Sequence, residues 1–244
     1  MATLKNIPTS PPEAYSKKEC KKALAALQDK LFDLQNLFYA DGHFGLLIIL
    51  QGLDTSGKDG TVRHVMSCMN PMGVHVKSFK QPTEEELQHD FLWRIYPHLP
   101  AKGVIEVFNR SYYEDILVPS IDKSIPKREI QRRSQLLNTL EDHLASSNIH
   151  ILKFFLHISK EEQKCRIKER LILPHKRWKY DKADIGVAEK WDDYIQVYHK
   201  MINDSNCTPW HIIPADKRWY RNYAVAKIVT EHLESLSLKY PNNN

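Results

Sequence analysis

Short runs of apolar and β-branched residues alternate along the chain with longer segments in which apolar residues recur every three or four positions. The short runs have the length of buried strands, and they cover residues 45–51, 74–79, 104–108, 149–158 and 211–214. The helical spacing covers residues 59–69, 84–99, 127–146, 161–173 and 219–236. Strands that alternate with helices form right-handed crossovers. The pattern therefore predicts an α/β fold with a five-stranded parallel sheet and helices on both of its faces.

The N-terminal part of the chain precedes this alternation. Leucines at three- and four-residue steps over residues 15–38 predict an added helix, and the residues up to about 12 are expected to form a loose arm. Thr83 is expected to cap the helix over 84–99, because the three glutamates that follow it suit the positive end of a helix dipole. We expect one domain over residues 1–244, with the arm and the added helix occupying residues 1–40.

Composition fits an ordinary globular protein. Apolar residues make up 42% of the 244 residues and charged residues 27%, which is typical of soluble domains. The longest uncharged apolar run, residues 45–50, is too short to span a bilayer, and the N-terminus lacks the apolar core of a secretion signal. Four cysteines that form no C-x-x-C pair argue against a zinc site or a disulfide framework. These features predict a cytoplasmic protein without a membrane partner.

Positive charge is concentrated in one segment of the chain. Nine basic and four acidic residues lie between Lys160 and Lys182, so this segment carries the whole net charge of +5. A charge run is usually a solvated helix face. The alternative is a surface that faces a polyanion. Nucleic acid is disfavoured as that polyanion, because no stacking aromatics are interleaved with the basic residues beyond Trp178 and Tyr180.

Residues 52–60, GLDTSGKDG, fit the phosphate-binding P-loop pattern G-x-x-x-x-G-K-[ST] up to its last position. They follow a predicted strand, open a predicted helix and hold three of the eight glycines in the chain. Backbone N–H groups and Lys58 would surround phosphate oxygens there. Gly57, Gly60 and Thr61 are the neighbouring phosphate-binding candidates. The alternative is a tight strand-to-helix turn with a surface lysine.

Two aspartates in this loop would repel a phosphate unless a divalent cation lay between. Asp59 occupies the position that usually carries a metal-contacting hydroxyl, and Asp54 lies inside the loop. Mg²⁺ prefers a few carboxylates together with water and phosphate oxygens. We therefore expect Asp54 to bind Mg²⁺, or Mn²⁺ as a substitute, with Asp59 and Asn109 as further ligand candidates.

The third predicted strand ends in FNRSYYED, at the edge where ligands bind in open parallel sheets. Asn109 stands where nucleotide kinases usually place an aspartate, so it keeps a ligand oxygen without the charge. The planar fork of Arg110 suits a phosphoryl group. Glu114 and Asp115 on the following helix, together with Lys80, are candidates on the nucleotide side. The alternative makes Asn109 a turn former and Arg110 a surface cation.

A cation-rich segment over about 160–200 predicts a hinged helical lid. Arg166 and Arg170 are four positions apart on a helix and therefore face one way, and Lys176 and Arg177 follow in a proline-broken stretch. Lids of phosphotransferases close to expel water and to bring arginines to the developing charge. An exposed amphipathic helix followed by a loop is the alternative.

Five motifs occur in a characteristic order: GLDTSGKDGTVRHV, NPMGVHVKSFKQPTEEELQHDFLWR, FNRSYYEDILV, KFFLHISKEEQKCRIKERL and PADKRWYRN. Together they resemble the polyphosphate kinase 2 family over roughly residues 31–236. The resemblance implies a P-loop kinase fold similar to thymidylate kinases, a helical lid, and Mg²⁺-dependent, reversible transfer of the terminal phosphoryl group of inorganic polyphosphate to a nucleotide. It assigns Asp54 to the metal, Lys58 and Arg63 to phosphates, Arg110 to the transferred group, and Arg166 and Arg170 to the lid-side anion.

The combination of Asp59 with FNRSYYED is similar to the class III branch of this family, whose members phosphorylate nucleoside monophosphates and diphosphates. The resemblance therefore implies AMP, ADP and guanine nucleotides as acceptors, and a homo-oligomer that is a dimer or a tetramer. Many relatives have Asp where this chain has Asn109, which shifts the metal-ligand role towards Asp54. A kinase restricted to one acceptor level, an ATP-dependent nucleoside monophosphate kinase and a polyanion-binding protein with a vestigial P-loop stay open as alternatives.

Overall fold

Five parallel strands form one sheet in the computed structural model, which describes residues 3–178, 186 and 189–241. Their order across the sheet is β2-β3-β1-β4-β5. The strands are β1 (Gly45–Gln51), β2 (Val74–Ser78), β3 (Ile105–Asn109), β4 (Ile149–His157) and β5 (Trp210–Pro214). The central strand β1 pairs with β3 from Leu46 opposite Ile105 and with β4 from Gly45 opposite Ile149. All five carboxyl ends therefore lie at one edge of the sheet.

Helices connect the strands and extend the chain at both ends. They are α1 (Lys17–Asp41), α2 (Lys58–Val65), α3 (Glu114–Asp122), α4 (Lys127–Ser146), α5 (Lys160–Ile172), α6 (Pro174–Arg177), α7 (Trp191–Asn203) and α8 (Arg218–Ser235). The predicted lid over about 160–200 includes residues 179–185 and 187–188, which lie outside the described residues. Among the described helices, none is both long and apolar enough to cross a membrane.

The two faces of β1 pack against different helical layers, because successive residues of a strand point to opposite faces. Leu46, Ile48 and Leu50 belong to a buried cluster with residues of α1, α2 and α8. Leu47 and Ile49 belong to a second buried cluster with residues of α3, α4 and α7. All seven residues of β1 are buried, which explains its continuous apolar run. The predicted α/β fold, with a five-stranded parallel sheet covered on both faces, is confirmed.

The predicted helix over residues 84–99 is wrong. Thr83 and Glu86 do form a reciprocal capping box, with N···O distances of 2.9 and 3.2 Å. The helix stops after one 3₁₀ turn, because His89 is extended and the Asp90 carboxylate accepts the Leu92 N–H at 2.9 Å. A second 3₁₀ turn at Tyr96–His98 includes a proline, which a helix interior does not tolerate.

The first residues are packed on the domain, contrary to the expectation of a loose arm. Leu4 is 1% exposed and belongs to the same buried cluster as α3, α4 and α7. Its carbonyl lies 3.0 Å from Nε2 of the buried His157. Thr9 hydrogen-bonds Asp216 through both its hydroxyl and its backbone carbonyl. A single buried leucine in a polar, proline-containing stretch is too weak a pattern to reveal such docking.

An ion pair buried between α4 and β4 anchors the segment that follows β3. Lys153 and Glu141 are both fully buried, and their charged groups are 2.5 Å apart. The hydroxyls of Tyr112 and Tyr113 donate to the same carboxylate at 2.9 and 2.7 Å. Burial lowers the pKa of Lys153 and raises those of the two tyrosines. The pair thereby fixes the two residues that precede Glu114.

We expect Glu141→Gln to lower the free energy of unfolding by about 3–5 kcal/mol, because it leaves the Lys153 ammonium buried without a counter-charge. The variant Glu141→Leu with Lys153→Met, combined with Tyr112→Phe and Tyr113→Phe so that no buried hydroxyl loses its acceptor, should recover most of this loss. Urea denaturation measures both effects. Lys227→Ala, which breaks the exposed pair with Glu231, is the control and should cost less than about 1 kcal/mol. Equal losses in the single and combined variants would contradict this account.

Candidate active site

The loop between β1 and α2 lies at the carboxyl edge of the sheet, and its backbone has positive φ angles at Thr55 and Gly57. Gly57 is the N-cap of α2 and has a φ of 107°, in the region that favours glycine. A Cβ at Gly57 would lie 1.7 Å from Nη1 of Arg221, and a Cβ at Gly60 would lie 2.8 Å from Nη2 of the same residue. These two positions therefore lack side chains because a guanidinium from α8 fills the space behind the loop.

Side chains from α5 and α8 hold the carbonyl oxygens of the loop from behind. Nη1 of Arg166 donates to Thr55 O at 2.9 Å and to Ser56 O at 3.2 Å. Nη1 of Arg221 also donates to Ser56 O at 3.2 Å, and the Gln163 amide donates to Asp54 O. Because C=O and N–H of a trans peptide point in opposite directions, the Gly57 N–H is directed away from these arginines. The arrangement leaves that N–H and the start of α2 available to an anion.

Lys58 is folded back onto the loop. Its ammonium donates to Gly52 O at 2.7 Å and to Leu53 O at 3.3 Å. Burial, together with Arg110, lowers the pKa of Lys58 to about 8, although the carboxylate of Asp54 acts in the opposite direction. A phosphate bound at the loop would offer Lys58 a charged acceptor in place of two neutral carbonyls, which strengthens its hydrogen bonds.

Asp54 joins this loop to the end of β3. Its Oδ1 lies 2.5 Å from Nη2 of Arg110. Arg110 has a φ of 64°, and its backbone N–H bonds Leu50 O at 3.0 Å, which fixes its position beside β1. Burial disfavours the Asp54 anion, but Lys58 and Arg110, with a contribution from Arg170, outweigh burial and lower its pKa. Asp54 is therefore an anion set between two cations at neutral pH.

Asn109 and Asp59 form a second link between β3 and the loop. The Asn109 amide donates to Asp59 Oδ1 at 2.9 Å. In the part of the chain that the structure describes, no group of three or more His, Cys, Asp or Glu side chains is placed to hold a metal by itself. Two hydroxyls of the loop, those of Thr55 and Ser56, are buried without a hydrogen-bond partner. These groups fit Mg²⁺ that is held by one or two carboxylates and completed by substrate phosphates and water.

Glu114 and Asp115 begin α3 beside this loop. Burial raises the pKa of Glu114, although Arg110 and Lys58 act in the opposite direction. Burial likewise raises the pKa of Asp115 to about 6, against the opposing effect of Arg94. Both carboxyl groups are thus easier to protonate than Asp54. As the pH falls, Asp54 in the loop therefore stays ionised after Glu114 and Asp115 on α3 have begun to be protonated.

Arg94 is a residue that sequence reasoning missed. It is 6% exposed, donates to Lys80 O at 3.1 Å and to Glu86 at 3.2 Å, and lies 4.0 Å from the Asp115 carboxylate. Its position could not be seen in the sequence because it lies in the stretch wrongly predicted as a helix. Lys80 itself is exposed, and its contact with this cluster is through the backbone carbonyl.

The structure divides the predicted basic residues into a buried group and an exposed group. Arg166 is 5% exposed and donates to four backbone carbonyls and to Glu162, and its expected contact with the lid-side anion stays a prediction. Arg170 lies close enough to Asp54 to lower its pKa. Of the remaining candidates, Arg63 and Arg177 are exposed. Lys176 forms an ion pair with Glu169 at 2.6 Å. Thr61 is buried, and its hydroxyl donates to Gly57 O.

Anion binding at the loop is expected to take up protons near pH 8. The pKa of Lys58 is about 8 in this structure, and a bound phosphate raises it. Titration with inorganic triphosphate at pH 8 should therefore take up roughly half a proton per site more in the parent than in Lys58→Met, because the proton exchange of triphosphate itself is common to both. Calorimetry in buffers of different ionisation enthalpy measures the uptake. The difference should disappear at pH 6.5, and equal uptake by parent and variant at pH 8 would contradict the assignment.

Comparisons with known proteins show the family of this chain. The family model described as Polyphosphate kinase 2 (PPK2) matches residues 14–241. An AMP/ADP-polyphosphate phosphotransferase of Meiothermus ruber is 45% identical over 92% of this chain and 85% of its own length, and an ADP-polyphosphate phosphotransferase of Rhodopseudomonas palustris is 40% identical over 96% and 86%. A crystal structure of polyphosphate kinase 2 from Arthrobacter aurescens superposes with a TM-score of 0.96 at 38% identity, covering all of this chain and 89% of that one. The chain, with its loop at residues 52–60 held by side chains of α5 and α8, belongs to the polyphosphate kinase 2 family.

Proposed function

We propose that this protein transfers the terminal phosphoryl group of inorganic polyphosphate to nucleoside monophosphates and diphosphates, with Mg²⁺ as cofactor. The observation that carries the proposal is the placement of Asp54 between Lys58 and Arg110, where the P-loop meets the end of β3. Two cations with an ionised carboxylate between them suit two crowded phosphate groups and a divalent metal. Relatives named for AMP and ADP or for ADP support this acceptor range.

The residues of the loop would bind the donor. The start of α2 and Lys58 contact the phosphates next to the bond that breaks, and Arg110 contacts the phosphoryl group in transfer. Bound Mg²⁺ would neutralise charge on the phosphates of donor and acceptor. Asp54 and Asp59 would hold it, with Asn109 beside them.

The reaction needs no covalent intermediate with the protein. An oxygen of the acceptor phosphate forms a bond to the terminal phosphorus, and the bond from that phosphorus to its bridging oxygen breaks. The polyphosphate chain becomes one unit shorter. Because a nucleotide phosphate is already ionised near neutral pH, the residues contribute position and charge stabilisation and need not remove a proton.

The experiment that tests this function mixes purified protein, Mg²⁺ and polyphosphate separately with AMP, ADP, GMP and GDP and resolves the products. We expect transfer to monophosphates and to diphosphates. Lys58→Ala and Asp54→Asn should each lower kcat by at least about 100-fold, because each removes charge stabilisation at the transferred group.

Charge-matched controls lie on the exposed face of α1. Lys21→Ala and Asp33→Asn change the same charges at exposed positions of that helix, so their kcat should equal that of the parent. Omission of Mg²⁺ should abolish transfer. Unchanged turnover in Lys58→Ala or Asp54→Asn would remove these residues from the mechanism, and transfer only from ATP would replace polyphosphate as the donor.

We also propose a homo-oligomer, either a dimer or a tetramer. β2 lies at an edge of the sheet, where proteins usually protect an unpaired strand. Val76 on this strand is 46% exposed, and Tyr39 and Met72 near its start are 48% and 68% exposed. Sedimentation velocity is expected to give a mass of two or four chains, and Val76→Lys should shift it towards one chain. A monomeric parent protein would contradict the proposal.

A further inference from the structure

The N-terminal segment reaches across the carboxyl edge of the sheet. We refer to residues 4–10 as the N-terminal strap. At one end, Leu4 is buried in the core, and its carbonyl lies 3.0 Å from the His157 ring. The strap lies before residue 14, where the match to the family model begins. It is therefore outside the part of the chain that the family model describes.

Asp216 ties the other end of the strap to the sheet. Its Oδ2 accepts the Thr9 hydroxyl at 2.7 Å and the Ser10 hydroxyl at 3.5 Å, and its backbone N–H donates to Thr9 O at 3.0 Å. Its Oδ1 accepts the Ser159 N–H at 2.8 Å. Ser159 is the N-cap of α5, and Asp216 follows β5. One carboxylate thus joins the strap, the start of α5 and the end of the sheet.

The same residue is connected to the phosphate-binding loop through Arg166. Nη2 of Arg166 donates to Asp216 O at 2.9 Å and to Ala215 O at 2.8 Å. Nη1 donates to Thr55 O and Ser56 O of the loop. Because a guanidinium is planar and rigid, the position of the turn at 215–216 sets the position of the loop carbonyls. A continuous path of hydrogen bonds therefore runs from Thr9 to the loop.

We propose that the strap positions the phosphate-binding loop for phosphoryl transfer, with Thr9 and Asp216 as positioning residues. The proposal rests on the proposed function, because it assigns the loop to the donor. Without the strap, the Ser159 N–H is what remains of the hydrogen bonds that the described residues donate to the Asp216 carboxylate. The turn at 215–216, whose carbonyls accept from Arg166, is then held less firmly. A displacement of about 1 Å in a reacting geometry can lower the rate by about 100-fold.

The path also predicts which kinetic constant changes. The strap acts on the loop that is assigned to the donor, whereas the nucleotide-side candidates Glu114 and Asp115 lie at the start of α3. Loss of the strap should therefore lower kcat and raise the KM for polyphosphate, while the KM for the nucleotide stays within about twofold. A strap that served only stability would change neither constant in protein that remains folded.

Three variants of the full chain test the proposal: deletion of residues 2–12, Thr9→Val and Asp216→Ala. We expect kcat to fall by about 10- to 100-fold in the deletion and in Asp216→Ala, and by less in Thr9→Val, which keeps the backbone bond to Asp216. Asp216→Asn should restore most of the activity, since its amide can accept from Ser159 and pair with Thr9. Assays are run well below the unfolding temperature measured for each variant.

Lys5→Ala is the matched control. Lys5 belongs to the strap and pairs with Asp192 at the surface, but it is not part of the path to the loop. Its kcat should equal that of the parent. A loss of kcat in Lys5→Ala as large as in Asp216→Ala would overturn the path, and so would full kcat in the folded deletion variant.

Hydrogen exchange gives a readout that does not depend on the reaction. Peptides that cover residues 52–60 should exchange faster in the deletion variant and in Asp216→Ala, and at the parent rate in Lys5→Ala. Unchanged exchange in the deletion variant would overturn the proposal even if activity were lost. If the parent protein showed no polyphosphate-dependent transfer, the proposed function would fail, and the exchange comparison would still decide whether the strap orders the loop.

Discussion

A phosphate-binding loop can present N–H groups to an anion only if its carbonyl oxygens point into the protein and are paired there. Unpaired buried carbonyls cost free energy. Here the carbonyls of Thr55 and Ser56 are paired with the guanidinium groups of Arg166 and Arg221. Burial, with repulsion from Arg166, lowers the pKa of Arg221 to about 9. Two cations are thus placed directly behind the loop, where their charge favours an anion in front without touching it.

The charged groups in front of the loop compensate one another before any substrate arrives. Asp54 lies between Lys58 and Arg110, and Asn109 pairs with Asp59 across the same edge. A partly exposed pair of this kind contributes little to stability. The Asp54 carboxylate nevertheless offsets the repulsion between Lys58 and Arg110, which lie on either side of it. Phosphates and a divalent metal can replace these internal contacts, because each side chain then exchanges one charged or polar partner for another.

Much of the fold follows from local patterns. The apolar run at 45–51 is a strand buried on both faces, and the glycine-rich segment after it forms the expected turn into α2. Asp54, Lys58, Asn109 and Arg110 come together because the carboxyl ends of neighbouring parallel strands share one edge. Local patterns do not reveal contacts between distant parts of the chain, and Arg166 is the clearest case. Its spacing from Arg170 was correct for a helix, but no local pattern shows whether a guanidinium faces solvent or four backbone carbonyls.

The guanidinium of Arg221 against Gly57 and Gly60 has a consequence for protein engineering. The shape of this loop depends on two arginines that are distant in sequence, one of them 165 positions after Ser56. Residues 52–60 therefore do not determine the conformation of the loop by themselves. If the loop were grafted onto another protein, the glycines would be transferred without Arg166 and Arg221. The loop carbonyls would then lose their hydrogen-bond donors, and the loop would not keep its conformation.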